Sequence, residues 1–176
     1  ISIEKEAMEA GVNGFIQKPF FKSTLYHCIR QHVLHEDGYP QWQDDRVNLT
    51  GRRILMAEDN ELNREISLEL LISAGAQVET AVNGQECVEF FAQSVPGYFD
   101  LILMDIQMPI MNGYDAARQI RTMDRPDALA IPIFAITADA FAEDMEEAKK
   151  AGMNSHLAKP LDIPAMMQEI KKYLEP

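Results

Sequence analysis

Cysteine is scarce in this 176-residue chain: Cys28 and Cys87 are the only two, each within an apolar helical pattern. That excludes a disulfide framework and fits two unpaired thiols in a reducing, cytoplasmic compartment. Basic residues are also in deficit, with 16 Lys and Arg against 28 Asp and Glu and a net charge of −12. From Gly51 onward the balance is 11 basic to 21 acidic, so most of the acidity lies there. Such a chain lacks the basic patches that nonspecific binding to nucleic acid or to an anionic membrane requires. No apolar run approaches the roughly 18–20 residues of a membrane span, and no signal peptide is visible. The chain opens at Ile1 rather than Met, which suggests a piece of a longer polypeptide.

What is present is ordinary globular chemistry, 47% apolar and 25% charged, long enough for one well-buried domain plus an appendage. From Arg52 strand and helix patterns alternate. Strands are predicted at Arg53–Ala57, Gln77–Val82, Phe99–Met104, Ala130–Thr137 and about Ser155–Ala158. Between and after them lie helices at Glu61–Ala74, from Asn83–Gly84 onward, about Phe141–Ala151 and Asp162–Leu174. The first carries Leu62, Ile66 and Leu70 at helical spacing, and the second carries Val88 and Phe91 inward with Cys87 beside them. Five strands alternating with helices imply a parallel sheet covered on both faces, with the ligand site beyond the strands' carboxyl ends.

One phrase occurs twice. "AGVNGFIQKPF" from Ala10 and "AGMNSHLAKPL" from Ala151 share Ala, Gly, Asn, Lys and Pro, at an offset of 141 residues. That offset is too long for a solenoid, where periods run roughly 20 to 50, and suits two copies of a whole domain. Residues 1–34 read helix, strand, helix, like the end of the later domain only. They are therefore predicted to be the C-terminal remnant of an upstream domain of the same fold. Residues 35–50, aperiodic and polar, are predicted to be a linker to a domain at 51–176.

At the strand ends stand Glu58 and Asp59, then Asp105, Thr137 and Lys159. Any one acid there is commonly a cap or turn residue. Three converging carboxylates raise one another's pKa unless a cation is present, and few, oxygen-only ligands suit Mg²⁺. Lys159 adds a compact ammonium and Thr137 a hydroxyl beside the small Ala138. Together they describe a pocket for a metal and a phosphoryl group, built around one aspartate.

"ILMAEDNELNR", "DLILMDIQMPIMNGYDAAR", "IPIFAITADAF" and "GMNSHLAKPL" resemble the receiver domain of two-component response regulators over residues 51–176. The resemblance implies a flavodoxin-like (βα)5 three-layer fold with strand order 2-1-3-4-5. It implies that Asp105 accepts a phosphoryl group from a phosphohistidine and can lose it to water. It assigns the Mg²⁺ to Asp59, Asp105 and the Gln107 carbonyl, with Glu58 acting through water, and the phosphoryl oxygens to Lys159 and Thr137. It also implies a cis Lys159–Pro160 peptide, and flanking roles for Gln107 and Asp139 in hydrolysis. Where similar receivers carry a switch Tyr or Phe paired with the Thr137 position, this chain has His156.

Two receiver-like segments in series resemble the C-terminus of a hybrid sensor histidine kinase, its parent chain anchored in the inner membrane. The implied partners are a histidine kinase domain or a histidine phosphotransfer protein, with a dimer through the 1–34 remnant as a further expectation. An aspartate-nucleophile phosphatase is disfavoured because Gln107 stands where those enzymes carry a second Asp. The alternative is a non-phosphorylated receiver-like binding module, against which the five filled positions argue.

Overall fold

The computed structural model describes residues 48–137, 142–159 and 163–174. Segment 1–34, nearly all of the linker, Asp139 and the Lys159–Pro160 peptide lie outside them. Five strands form one parallel sheet: β1 (Arg53–Ala57), β2 (Gln77–Ala81), β3 (Leu101–Asp105), β4 (Ile133–Thr137) and β5 (Ser155–Ala158). Their order is β2-β1-β3-β4-β5, as the resemblance implies. The helices are α1 (Glu61–Ser73), α2 (Gly84–Gln93), α3 (Gly113–Arg121), α4 (Ala142–Lys150) and α5 (Ile163–Leu174).

Strand residues alternate between two cores. Leu55, Ala57, Ile102 and Met104 face the layer of α2, α3 and α4, where Val88, Phe91, Ala117 and Ile120 meet them. Ile54, Met56, Leu101 and Leu103 face α1 and α5, against Leu71, Met166 and Ile170. β3 is buried at all five positions, as expected of a central strand covered on both sides. Leu49, which the sequence pattern leaves in the linker, is 2% exposed and donates its N–H to the Ala74 carbonyl.

Three helices start on asparagine. The side chains of Asn60, Asn83 and Asn112 accept the N–H groups of Asn63, Glu86 and Asp115, satisfying donors that a helix's first turn leaves open. Each cap follows closely on the end of a strand or a strand-end loop, so capping fixes where the loops carrying the acids must turn.

Three details depart from the sequence pattern. β4 begins at Ile133 rather than Ala130, because Ala130 and Ile131 both donate to the Asp127 carbonyl in a turn. β3 begins at Leu101, since Asp100 turns its carboxylate onto Arg52 and the Arg53 N–H. The buried stripe of α1 is Ser67 and Leu71, with Leu62 left 64% exposed and Ile66 and Leu70 half-buried. The small Ser67 faces the core while Arg64, one turn earlier, donates to the carbonyls of Glu58 and Asp59.

Candidate phosphoryl and metal site

Ala57 and Met104 are register partners, so Glu58 and Asp105 leave the sheet side by side. Asp105 is 3% exposed and Glu58 2%, whereas Asp59, one residue further into the loop, is exposed. One oxygen from each of the three carboxylates lies within 4.8 Å of the others. β5 brings the cation: the Lys159 N–H donates to the Thr137 carbonyl at 2.7 Å, continuing the β4–β5 ladder by one step. From there Nζ reaches Asp105 Oδ2 at 2.6 Å and Glu58 Oε2 at 2.8 Å.

Three carboxylates against one ammonium leave a formal charge of −2 in a small space. Burial pushes the Asp105 carboxyl above its ordinary range. The Glu58 charge adds to this, and the hydrogen bonds from Lys159 and the Gln107 N–H oppose it without winning. For Lys159 burial acts downward, yet the hydrogen bonds to Asp105 and Glu58 carry its pKa above the usual lysine value. The donor set is hard oxygen at uncompensated negative charge, which fits a small divalent cation such as Mg²⁺.

Around this centre the Gln107 N–H donates to Asp105 Oδ1 at 3.3 Å. Thr137, half-exposed, ends β4 one strand over. With His156, Tyr114 and Met145 it lines a shallow cleft that Ala135 and Ala148 also border. Glu58, Asp59, Asp105 and Lys159 thus converge directly. Thr137 is tied to them through the Lys159 backbone, while His156 lies in the cleft three residues before Lys159. Asn63 was missed by the site reading: its Nδ2 donates to Glu58 Oε1 at 3.1 Å. The signal was the Asn60-x-x-Asn63 spacing, which places residue 63 one turn above the acids. Arg64 was missed likewise, its role being to pin two backbone carbonyls rather than to face the cleft.

The family model for the response regulator receiver domain matches residues 54–171. Probable histidine kinase 4 of rice is 31% identical over 94% of this chain and 19% of its own length. The aerobic respiration control sensor protein ArcB of Escherichia coli is 36% identical over 86% of this chain and 19% of its own. The chain spans about a fifth of the length of these curated relatives. Among solved structures, the receiver domain of sensor histidine kinase PA1611 from Pseudomonas aeruginosa was crystallised with magnesium in its active-site cleft. It superposes with TM-score 0.65 at 32% identity, covering 72% of this chain and 100% of that one. The receiver of Saccharomyces cerevisiae Ssk1, solved with the phosphotransfer protein Ypd1, gives TM-score 0.63 at 29% identity, covering 72% and 90%.

Proposed function

Since this chain belongs to the response regulator receiver family, we propose that it is the phosphoacceptor receiver of a His–Asp phosphorelay, with Asp105 as the acceptor. The observation that carries the reading is the convergence of buried Asp105 with Glu58, Asp59 and the Lys159 ammonium at the carboxyl end of the sheet. An Asp105 carboxylate oxygen attacks phosphorus while the bond to the donor imidazole nitrogen breaks. The imidazole leaves with the bonding pair and is protonated from solvent. Lys159 exchanges its contact with Asp105 for one with a phosphoryl oxygen, and the Thr137 hydroxyl donates to another. Asp59, Asp105 and the Gln107 carbonyl would hold Mg²⁺, with Glu58 behind them. The ion supplies positive charge opposite the equatorial oxygens. Loss of the group to water returns the free carboxylate, and Gln107 stands two residues beyond it.

The phosphodonor we propose is a histidine phosphotransfer protein or a histidine kinase domain, which the Ssk1–Ypd1 complex supports by likeness. Leu62, 64% exposed on the first turn of α1 beside the acids, supports a protein surface rather than a small metabolite as donor. We extend the proposal to the parent chain, a hybrid sensor histidine kinase of which residues 1–34 would close an upstream receiver-like domain. Cytoplasmic location of this part and dimerisation through residues 1–34 belong to the same proposal. Light scattering with and without residues 1–50 tests the dimer. Among the described residues no helix is long and apolar enough to cross a membrane. The deciding experiment is labelling of the chain by a small-molecule phosphodonor, with and without Mg²⁺. Mg²⁺-dependent, base-labile phosphate on Asp105 is expected, and label elsewhere or none overturns the assignment.

A further inference from the structure

Glu58 is 2% exposed, and its carboxylate has two side-chain donors among the described residues. Lys159 Nζ lies 2.8 Å from Oε2, and Asn63 Nδ2 donates to Oε1 at 3.1 Å. A carboxylate only accepts, so the NH₂ end of the Asn63 amide is the end that faces it. The same Lys159 ammonium reaches Asp105 Oδ2 at 2.6 Å. A line of contacts thus runs from the first turn of α1 to the acceptor, through Asn63, Glu58 and Lys159 to Asp105.

That first turn is firmly held. The Asn60 side chain accepts the Asn63 N–H at 3.1 Å, and the Asn60 carbonyl accepts the Arg64 N–H at 2.9 Å. Arg64 Nη1 donates to the carbonyls of Glu58 and Asp59 at 2.9 and 3.2 Å, so this cation binds backbone and leaves the Glu58 carboxylate alone. Asn63 therefore does what a charged donor in its place could not. It fixes one oxygen of Glu58 without cancelling any of the negative charge that draws a divalent cation to the site. Without it Oε1 keeps no side-chain donor, and both oxygens are drawn toward Lys159. The carboxylate would then leave the orientation in which one of its oxygens lies within 4.8 Å of oxygens from Asp59 and Asp105.

We propose that Asn63 is a positioning residue: its amide holds Glu58 turned toward the metal site, so that Mg²⁺ meets three gathered carboxylates rather than two. The inference rests on reading the acidic centre as a Mg²⁺ site. Losing the partner that orients a group at a metal centre typically costs about ten- to a hundredfold in affinity. Asn63 is itself exposed, so the low end applies.

The test is titration of the full chain and its variants with Mg²⁺ by calorimetry. Asn63→Leu keeps the side chain's bulk over Glu58 but has no donor, and should bind Mg²⁺ about tenfold more weakly. Asn63→Gln keeps an amide on a longer stem and should recover most of that loss. In Glu58→Ala there is no carboxylate left to hold, so adding Asn63→Leu should change the Kd by less than about twofold. Wild-type affinity in Asn63→Leu overturns the proposal, as does Asn63→Gln binding as weakly as the leucine variant. A full tenfold loss on top of Glu58→Ala also overturns it, because the effect would then bypass Glu58. A wild-type chain that binds no Mg²⁺ would sink the metal site itself, and this proposal with it.

Discussion

Replacing Lys159 with Met removes the ammonium from the acidic centre while keeping most of the side chain's length. Glu58 and Asp105, 2% and 3% exposed, then share a buried edge without a cation between them. Stripping one partner from a buried ion pair costs about 3–5 kcal/mol. The Lys159 side chain is 23% exposed, so water relieves part of the cost and the low end, about 3 kcal/mol, applies. At about 4 °C per kcal/mol for a domain of this size, the melting temperature should fall by about 12 °C in EDTA at pH 7. Mg²⁺ should restore much of the loss, since a ligand at a hundred times its Kd contributes about 2.7 kcal/mol. It should stabilise the variant more than the wild type, where Lys159 already holds two of the acids. The pH dependence has a definite sign. Lys159 has a raised pKa, so its stabilising contribution is complete below the usual 10.5 and is lost as pH rises through the folded value. Asp105 also has a raised pKa, so its charge weakens the fold at neutral pH and protonation in acid removes that penalty. The gap between variant and wild type should therefore close as pH falls through the carboxyl range. Differential scanning calorimetry in EDTA and in Mg²⁺, from pH 4 to 8, measures all of this. Equal melting temperatures in EDTA at pH 7, or equal gains from Mg²⁺, would refute the reasoning.

Asp105→Asn should abolish base-labile labelling while circular dichroism stays native, and its melting temperature should equal or exceed the wild type's because a buried charge has gone. Gly113→Ala should lose about 1–3 kcal/mol in urea denaturation, since backbone must shift to admit a Cβ 2.3 Å from the Asp105 carbonyl oxygen. A midpoint unchanged from wild type would show that the loop gives way freely. Asp127 accepts from Arg125 and from the Gly97 N–H, and the Arg125 hydrogen bonds hold its carboxyl down at about 2 from an ordinary 3.8. A depressed carboxyl stabilises above the ordinary value and loses its effect as pH falls toward the folded one. Asp127→Asn should thus cost about 1–2 kcal/mol at pH 6 and little at pH 2, compared by urea midpoints. A deficit that does not shrink in acid would assign the loss to packing.

The sheet was legible because its strands are short apolar runs ended by turn residues, and strand ends are where a parallel sheet gathers its ligands. Glu58, Asp59, Asp105 and Lys159 could therefore be placed together before any coordinates. The facing of α1 was not legible. Leu62, Ile66 and Leu70 make the stronger apolar line, yet Ser67 and Leu71 are the residues the fold buries. Nor was α3 bounded in the pattern, for "GYDAARQIR" buries two alanines and one isoleucine among charges, a thin signal that the Asn112 cap completes. The positive φ of Ile110, 68°, in the loop between β3 and α3, was invisible for another reason. Nothing in an isoleucine announces a positive φ; it follows from what glycine at 84 and 113 allows the two ends of the loop to do.

Side chains along a strand take opposite sides in turn, and the count has a meaning at the sheet's rim. Asp105 keeps step with Leu101 and Leu103, which look toward α1 and α5. Thr137 keeps step with Ile133 and Ala135, which look toward α2, α3 and α4, and it opens onto the cleft beside Ala148. Asp105 and the Thr137 hydroxyl thus belong to different storeys of one small building, and Lys159 joins them, by its backbone to Thr137 and by its ammonium to Asp105. If, under the proposed function, a phosphodonor protein docks beside α1, the cleft bordered by Ala148 of α4 lies on the other side of the sheet from it.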